Sequence, residues 1–184
     1  MTDVNVVLQR QSIRAYEETP VADKDVEQII TAGRWAPNAG PFDITVVRNA
    51  DLRREINDAT LEAMKNSGNA FLQSRAELPG YQPLYGAPLL ILLSAPESLP
   101  YSAHNTSLAA ENMLLTATAL GLGSCFLVSP TLELNGANKA QWAPKIALQE
   151  GYKVQCALVI GTAAKDNPFA LAPRTEKGTV RYID

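Results

Sequence analysis

The segment from residue 104 to residue 120 constrains the fold of this 184-residue chain more than any other. Its side chains are apolar on almost every side of a helical projection, and Glu111 is its one acidic residue. Gly121 follows it as a stop signal. A helix with almost no polar face is buried, either in the core of a domain or between subunits. We therefore expect a buried helix over residues 104–120.

Composition supports one domain, residues 1–184, whose core needs no disulfide or metal. Only 19% of the residues are charged, below the roughly 25% of an average soluble protein. A low charged fraction leaves less polar surface, which indicates an oligomer. The formal net charge of −3 argues against a nucleic-acid partner, because proteins that bind the phosphate backbone are normally basic.

Residue counts exclude several kinds of site. One histidine, His104, and two cysteines, Cys125 and Cys156, cannot assemble a zinc site from several such ligands. Each cysteine lies in an apolar run, which predicts unpaired thiols in a reducing compartment. No secretory signal is evident, and the longest apolar run, residues 87–93, is too short to cross a bilayer. We expect a cytoplasmic protein without a membrane partner.

Hydrophobic periodicity predicts a mixed α/β domain rather than a regular doubly wound sheet. Residues 69–85 are the least regular stretch, and we expect a short helix followed by a flap. The tail, residues 167–184, is expected to be extended. The remaining predicted elements are helices over residues 3–9, 23–35, 51–67, 104–120 and 139–149, the last of which could break at Pro144, and strands over residues 44–48, 88–94, 125–128 and 154–160.

The first candidate site follows the first predicted helix, at residues 10–16. If this segment is extended, Arg10, Ser12 and Arg14 point the same way. Two guanidinium groups and a hydroxyl then offer several donors to an anion with several oxygens. On spacing alone the alternative is favoured, in which the arginines are solvated charges at the carboxyl end of a helix.

Three further segments are weaker candidates. Asn38 could offer a donor and an acceptor to a planar heterocycle, or it could be a turn residue with a positive φ. Residues 121–125 resemble part of a phosphate-binding loop, but they close a helix and open a strand, so they are better interpreted as a helix C-cap. The backbone N–H groups of Val128 and Ser129 would then carry any function there. Arg174 could be a surface charge or a cation delivered to another chain's site.

Other catalytic motifs are absent from the sequence. There is no phosphate-binding loop of the P-loop type and no Gly-x-Ser-x-Gly. His104 has no evident nucleophile beside it, and Cys125 has no adjacent cation, so a core thiol is the better interpretation. No catalytic side chain and no metal ligand is predicted.

In their order and spacing, the segments resemble the nitroreductase family of FMN-dependent oxidoreductases. The resemblance spans nearly the whole chain, although Gly40 and Phe42 stand where the family has Gln and Trp. The segments that carry it are Arg10-Gln11-Ser12-Ile13-Arg14-Ala15-Tyr16, residues 32–37, Asn38-Ala39-Gly40-Pro41-Phe42-Asp43-Ile44, Gly86-Ala87-Pro88, residues 109–125, Ile160-Gly161 and Pro173-Arg174.

This resemblance implies an α+β fold of three layers, α-β-α, with a mixed central sheet. It also implies an intertwined homodimer whose carboxyl-terminal tail is exchanged and whose two FMN sites lie at the interface. Arg10, Ser12 and Arg174 would bind the phosphate and ribityl chain with Gln11 alongside, and Arg14 would stabilise negative charge near flavin N1. The other implied cofactor-binding residues are Asn38, Gly40, Phe126, Leu127, Val128 and Ser129.

The implied function is FMN-dependent reduction of nitroaromatic, quinone or similar acceptors by NADH or NADPH. Hydride would pass through flavin N5 in ping-pong order, so no catalytic His, Cys or Ser is required. The alternatives are a flavin-dependent dehydrogenase, flavin reductase or dehalogenase on the same fold, or a flavin-binding module without turnover.

Overall fold

The structure is a computed structural model that describes residues 5–166 and 175–183. In these two ranges the chain forms seven helices and four strands. In chain order they are α1 (Asn5–Gln9), α2 (Asp23–Arg34), β1 (Asp43–Val47), α3 (Ala50–Lys65), α4 (Ala70–Ala76), β2 (Leu89–Pro96), α5 (Ser102–Ala119), β3 (Gly123–Leu127), α6 (Pro130–Leu134), α7 (Lys139–Lys145) and β4 (Tyr152–Gly161).

The four strands form one sheet in the order β1-β2-β4-β3. Every neighbouring pair is antiparallel, with Leu92 opposite Ala157 at the centre of the sheet. The predicted sheet was mixed. Within the described residues, parallel pairing is confined to an isolated bridge between Ser12 and Ser124, so the four strands alone make an antiparallel sheet.

Both faces of the sheet are covered, which explains the uninterrupted apolar run of β2. Leu89, Ile91 and Leu93 pack in a core with α2 and α5. The alternate residues Leu90 and Leu92 pack in a second core with α3, α6 and α7. Successive strand residues point to opposite faces, so a strand buried on both sides needs no polar alternation. The predicted three-layer fold is confirmed.

Helix α5 is buried along the face that meets α2 and the sheet, as its sequence predicts. Gly33 on α2 permits this close approach, because a Cβ there would lie 2.2 Å from Cε of Met113. The other face of α5 carries Leu108, which is 46% exposed in the single chain. This face remains available for a contact outside the chain.

The carboxyl end of α5 has the hydrogen bonds of a Schellman cap. The Leu122 N–H donates to the Ala117 carbonyl at 2.9 Å, and the Gly121 N–H donates to the Thr118 carbonyl at 3.0 Å. Gly121 has φ = 77°, the left-handed conformation that this cap requires. The C-cap interpretation of residues 121–125 is confirmed.

Two elements differ from the sequence prediction. Helix α6 was not predicted, because its five residues are too few to show a helical period. Helix α7 ends at Lys145, just after Pro144, rather than at residue 149, and Ala147 beyond it has φ = 52°. The described part of the tail, residues 175–183, is exposed and contains no helix or strand, in agreement with the absence of a helical period there.

The described residues include no helix that is both long and apolar enough to span a membrane.

Candidate active site

Residues 10–17 run as an extended segment beside the sheet edge. The Ile13 N–H donates to the Ser124 carbonyl at 2.9 Å, at the start of β3. The Glu17 N–H donates to the Thr162 carbonyl at 2.9 Å, just beyond β4. These backbone bonds fix the segment at two points, so its side chains have defined directions.

The side chains of Arg10, Ser12 and Arg14 lie close enough to act together on the thiol of Cys125. Burial raises the pKa of this thiol, whereas the charge of Arg14, a hydrogen bond with Ser12 and the charge of Arg10 lower it. Alternate residues of an extended segment share one side, which accounts for this grouping. The structure therefore brings together the donors expected to bind an anion with several oxygens.

Arg10 is also held from the side of α5. Its Nε lies 3.7 Å from Oε1 of Glu111, and its side chain is only 20% exposed. A solvated charge at the end of a helix would be far more exposed. The interpretation of Arg10 as such a charge therefore does not fit the structure. Because Glu111 is half exposed, the pair contributes little to stability, and its effect is to orient the guanidinium.

Two paired glycines make room for the extended segment. Gly123 on β3 lies opposite Gly161 on β4. A Cβ at Gly123 would lie 2.9 Å from Cγ1 of Ile13, and one at Gly161 would lie 2.6 Å from Cδ of Pro88 and 3.2 Å from Cδ1 of Tyr16. A larger residue at position 123 would push the segment away from the sheet, whereas one at position 161 would collide with Pro88 and press against Tyr16.

A cavity of about 620 Å³ opens beside Arg14. The carboxyl end of β3 and the residues after it form one wall, and α4 with the turn that follows it forms the other. Its lining residues are Arg14, Met64, Phe71, Leu72, Arg75, Tyr81, Tyr85, Phe126, Leu127, Val128 and Ser129. The predicted residues Arg14 and 126–129 therefore share one cavity.

Asn38 and Gly40 lie elsewhere in the single chain. The Asn38 side chain donates to the Ala36 carbonyl at 3.3 Å, and the adjacent Ala39 N–H donates to Oδ1 of Asn105 in the first turn of α5 at 2.9 Å. Asn105 and Glu111, which contacts Arg10, are six residues apart, about 9 Å along the helix axis. Neither Asn38 nor Gly40 lines the cavity beside Arg14.

The alternative interpretation of Asn38, as a turn residue with positive φ, is wrong. The residue of this loop with a positive φ is Gly40, at 139°. A Cβ on Gly40 would also lie 2.5 Å from Cδ2 of Leu99. The loop thus requires glycine at position 40, where the family pattern has Gln.

Gln11 and Arg174 complete the set of predicted site residues. Gln11 is exposed and lines a separate pocket of about 220 Å³ together with Ile13, as expected for the opposite side of an extended segment. Its side chain is therefore not grouped with Arg10, Ser12 and Arg14. Arg174 lies outside the described residues.

Both cysteines are free and buried. Burial raises the pKa of Cys156 to about 12, from 9.0, and it also raises the pKa of Cys125. A thiol reacts as the thiolate, so these are core thiols rather than nucleophiles. Because the folded pKa of Cys156 is higher, its contribution to stability is complete below pH 9 and is lost as the pH rises towards 12.

We expect the folded protein at pH 8 to react slowly with a thiol-specific disulfide reagent, and the denatured protein to release two equivalents rapidly. The measurement is absorbance of the released chromophore with and without denaturant. Fast reaction of one thiol in the folded state would contradict the assignment of both cysteines as core thiols.

The model of the nitroreductase family matches residues 7–162. The chain belongs to the nitroreductase family. A protein of Archaeoglobus fulgidus, provisionally named NADH dehydrogenase/NAD(P)H nitroreductase, is 30% identical over 130 residues, which are 67% of this chain and 66% of that protein. The match therefore spans slightly less than two thirds of that relative.

Solved structures of the family superimpose on this chain. A nitroreductase with bound FMN from Bacteroides fragilis is 25% identical, with a TM-score of 0.87 and 100% of both chains covered. A nitroreductase with bound FMN from Desulfitobacterium hafniense is 21% identical, with a TM-score of 0.87 over 98% of this chain and 97% of that one. Because the Desulfitobacterium hafniense protein is only 21% identical, its similarity to this chain supports the fold alone.

In this member of the nitroreductase family, the sequence did not predict that α4 and the turn after it form one wall of the cavity. The predicted short helix is present, but the residues beyond it are packed: Tyr81 and Leu84 are 7% and 3% exposed. The available signal was the aromatic residues around Arg75. These aromatic residues lie near β3 because α4 packs against α3. Hydrophobic periodicity along the sequence does not predict that long-range contact.

Proposed function

We propose that this protein is an FMN-dependent oxidoreductase that uses NADH or NADPH to reduce small aromatic or quinone-like acceptors. The observation that carries the proposal is the grouping of Arg10, Ser12 and Arg14 beside a cavity of about 620 Å³. These residues offer cationic and hydroxyl donors for a phosphate, next to a space with an apolar wall for an aromatic ring system. That combination fits FMN.

Each residue has a distinct proposed role. Arg10 and Ser12 bind the phosphate and ribityl chain, with Arg174 as a second cation and Gln11 nearby. Arg14, which lines the cavity, stabilises the negative charge that two-electron reduction adds to the ring. When bound, FMN supplies hydride transfer in both half-reactions of a ping-pong cycle. Residues 126–129 border the ring and exclude water from one side.

We further propose that residues 1–184 form one domain of a homodimer with exchanged tails. The described tail residues Val180, Tyr182 and Ile183 are 73%, 88% and 97% exposed, as is Leu8 of α1 at 74%. Apolar side chains this exposed support burial against a second subunit. Asn38 and Gly40 do not line the cavity beside Arg14 in one chain, which supports completion of each FMN site by the other subunit's loop.

The deciding experiment is the absorbance spectrum of purified protein before and after anaerobic addition of NADH or NADPH. Flavin bands that the nicotinamide bleaches, and that an acceptor restores, are the expected result. Flavin that is bound but not bleached would instead indicate a module without turnover. Protein that stays colourless after reconstitution with FMN would refute the proposal.

A comparison of acceptors separates the remaining alternatives. A nitroaromatic compound, a quinone, free flavin and a halogenated phenol are offered to the reduced enzyme in turn. Preference for free flavin would indicate a flavin reductase, and preference for the halogenated phenol would indicate a dehalogenase.

A further inference from the structure

Tyr16 donates a hydrogen bond back to the segment that carries Arg14. Its hydroxyl donates to the Ile13 carbonyl at 2.8 Å. That carbonyl belongs to the peptide group that joins Ile13 to Arg14, and a peptide group is planar. A hydrogen bond to its oxygen therefore fixes the plane from which the Arg14 backbone continues. The direction of the Arg14 side chain depends on that plane.

The backbone on either side of Arg14 is anchored to the sheet. Before it, the N–H of Ile13 donates to a carbonyl at the start of β3. After it, the Ala164 N–H donates to the Ala15 carbonyl at 3.0 Å. Between these two anchors, the peptide group that leads into Arg14 is held by a side chain, that of Tyr16. The hydroxyl thus adds a constraint that these backbone bonds do not supply.

The ring of Tyr16 is itself held against the sheet. It packs against the core cluster that includes Cys125 and Val159. Its hydroxyl oxygen also lies 3.4 Å from the Val159 carbonyl, a longer and weaker contact. Gly161 leaves room for the ring, since a Cβ there would lie 3.2 Å from Cδ1 of Tyr16. This packing keeps the hydroxyl directed at the Ile13 carbonyl.

The Tyr16 hydroxyl is a constant donor rather than an acid. Burial raises the pKa of Tyr16 well above its usual 10.0, and the neighbouring Cys125 and Tyr85 raise it further, whereas Arg14 lowers it. A hydroxyl that keeps its proton in this way is not a proton source for a reaction near neutral pH. Among the described residues, Arg14 lines the cavity of about 620 Å³ and Tyr16 does not. Tyr16 can therefore influence a bound ring only through another residue.

We propose that Tyr16 is a positioning residue that directs the Arg14 guanidinium at the flavin ring through its hydrogen bond to the Ile13 carbonyl. The inference rests on the proposed function, in which Arg14 stabilises the negative charge of the reduced ring. Coulombic stabilisation weakens with distance, and oxidised FMN lacks that ring charge. A displaced Arg14 therefore disfavours reduced FMN selectively, and the reduction potential depends on a hydroxyl outside the cavity.

The test is a double-mutant cycle on FMN-loaded protein, with the wild type, Tyr16→Phe, Arg14→Ala and the double variant. Phenylalanine keeps the ring in the core and removes the hydroxyl alone. The reduction potential of bound FMN is measured at saturating FMN by equilibration with a redox dye, with dithionite as the reductant. Fluorescence titration of apoprotein gives the FMN affinity, and thermal unfolding checks that each variant is folded.

Tyr16→Phe is expected to lower the affinity for reduced relative to oxidised FMN about 3- to 10-fold, the effect of one hydrogen bond. For a two-electron couple this makes the potential about 15–30 mV more negative. In the Arg14→Ala background the same substitution should leave the potential unchanged, because the group through which Tyr16 acts is gone. A purely structural role would weaken binding of both forms of FMN equally and would not move the potential.

Thr45→Val is the matched control. The Thr45 hydroxyl also donates to a backbone carbonyl, that of Ile146, at 3.2 Å. Thr45 lies on β1, at the opposite edge of the sheet from β3. The variant removes a hydroxyl that makes the same kind of bond away from the arginine segment. It should lower the melting temperature and leave the potential and the FMN affinity at their wild-type values.

Two results would overturn the inference. An unchanged potential in folded Tyr16→Phe would show that the hydroxyl does not affect the reduced ring. An equal shift in both backgrounds would show that it acts independently of Arg14. Because dithionite is the reductant, the cycle still decides the inference if neither NADH nor NADPH reduces the flavin and the proposed activity fails. Wild-type protein that binds no FMN would refute both.

Discussion

Replacement of Arg14 by alanine is expected to make the reduction potential of the bound FMN more negative and to weaken FMN binding about 10- to 100-fold. The guanidinium lines the cavity and acts on the same buried thiol as Ser12 and Arg10. Its removal takes away a charge that favours the reduced form. Each 1.4 kcal/mol lost from that form corresponds to about 30 mV for a two-electron couple.

The measurements are FMN titration of apoprotein, followed by fluorescence, and equilibration of holoprotein with a redox dye. Arg14→Lys retains the charge but not the planar donor geometry, so it should recover part of the potential. Arg34→Ala removes an exposed arginine at the end of α2 and serves as the control. An unchanged potential in Arg14→Ala would exclude Arg14 as the group that stabilises reduced FMN.

Gly123→Ala is expected to destabilise the fold by about 1–3 kcal/mol through overpacking and to impair FMN binding as well. The new methyl group would lie 2.9–3.0 Å from three carbons of Ile13. Ile13 anchors the segment on the Ser124 carbonyl, so the segment with Ser12 and Arg14 must shift. Thermal unfolding and FMN titration measure the two effects.

Two further variants separate this effect from simple loss of stability. The double variant Gly123→Ala with Ile13→Ala removes two of the three colliding carbons, Cγ1 and Cγ2 of Ile13, and should recover part of the FMN affinity that Gly123→Ala loses. Gly68→Ala introduces backbone strain at φ = 68°, in open space at the end of α3. It should lower stability without changing FMN affinity. Equal loss of affinity in both glycine variants would refute the anchoring role of Gly123.

Much of the fold was predictable because its strongest elements carry their own signals. The apolar run that becomes β2 and the apolar helix α5 follow from burial on both faces of the sheet and from contact with α2. The C-cap at Gly121 follows from local stereochemistry. Helix α6 was missed because five residues are too short for periodicity to emerge.

The candidate site was predictable only in part. Arg10, Ser12 and Arg14 are neighbours in sequence, so an extended backbone suffices to group them. Arg75 reaches the same cavity through packing of α4 and Tyr81 against α3, and the spacing of residues does not encode that contact. The position of Asn38 likewise depends on which part of α5 its loop meets.

The bridge between Ser12 and Ser124 also bears on aggregation. In the sheet order β1-β2-β4-β3, strand β3 is an edge, and an open edge is a template for pairing with other chains. Residues 12 and 13 cover the start of that edge with backbone contacts. The segment proposed to bind the cofactor therefore also shields the sheet, and selection against aggregation would act on the same residues as selection for catalysis.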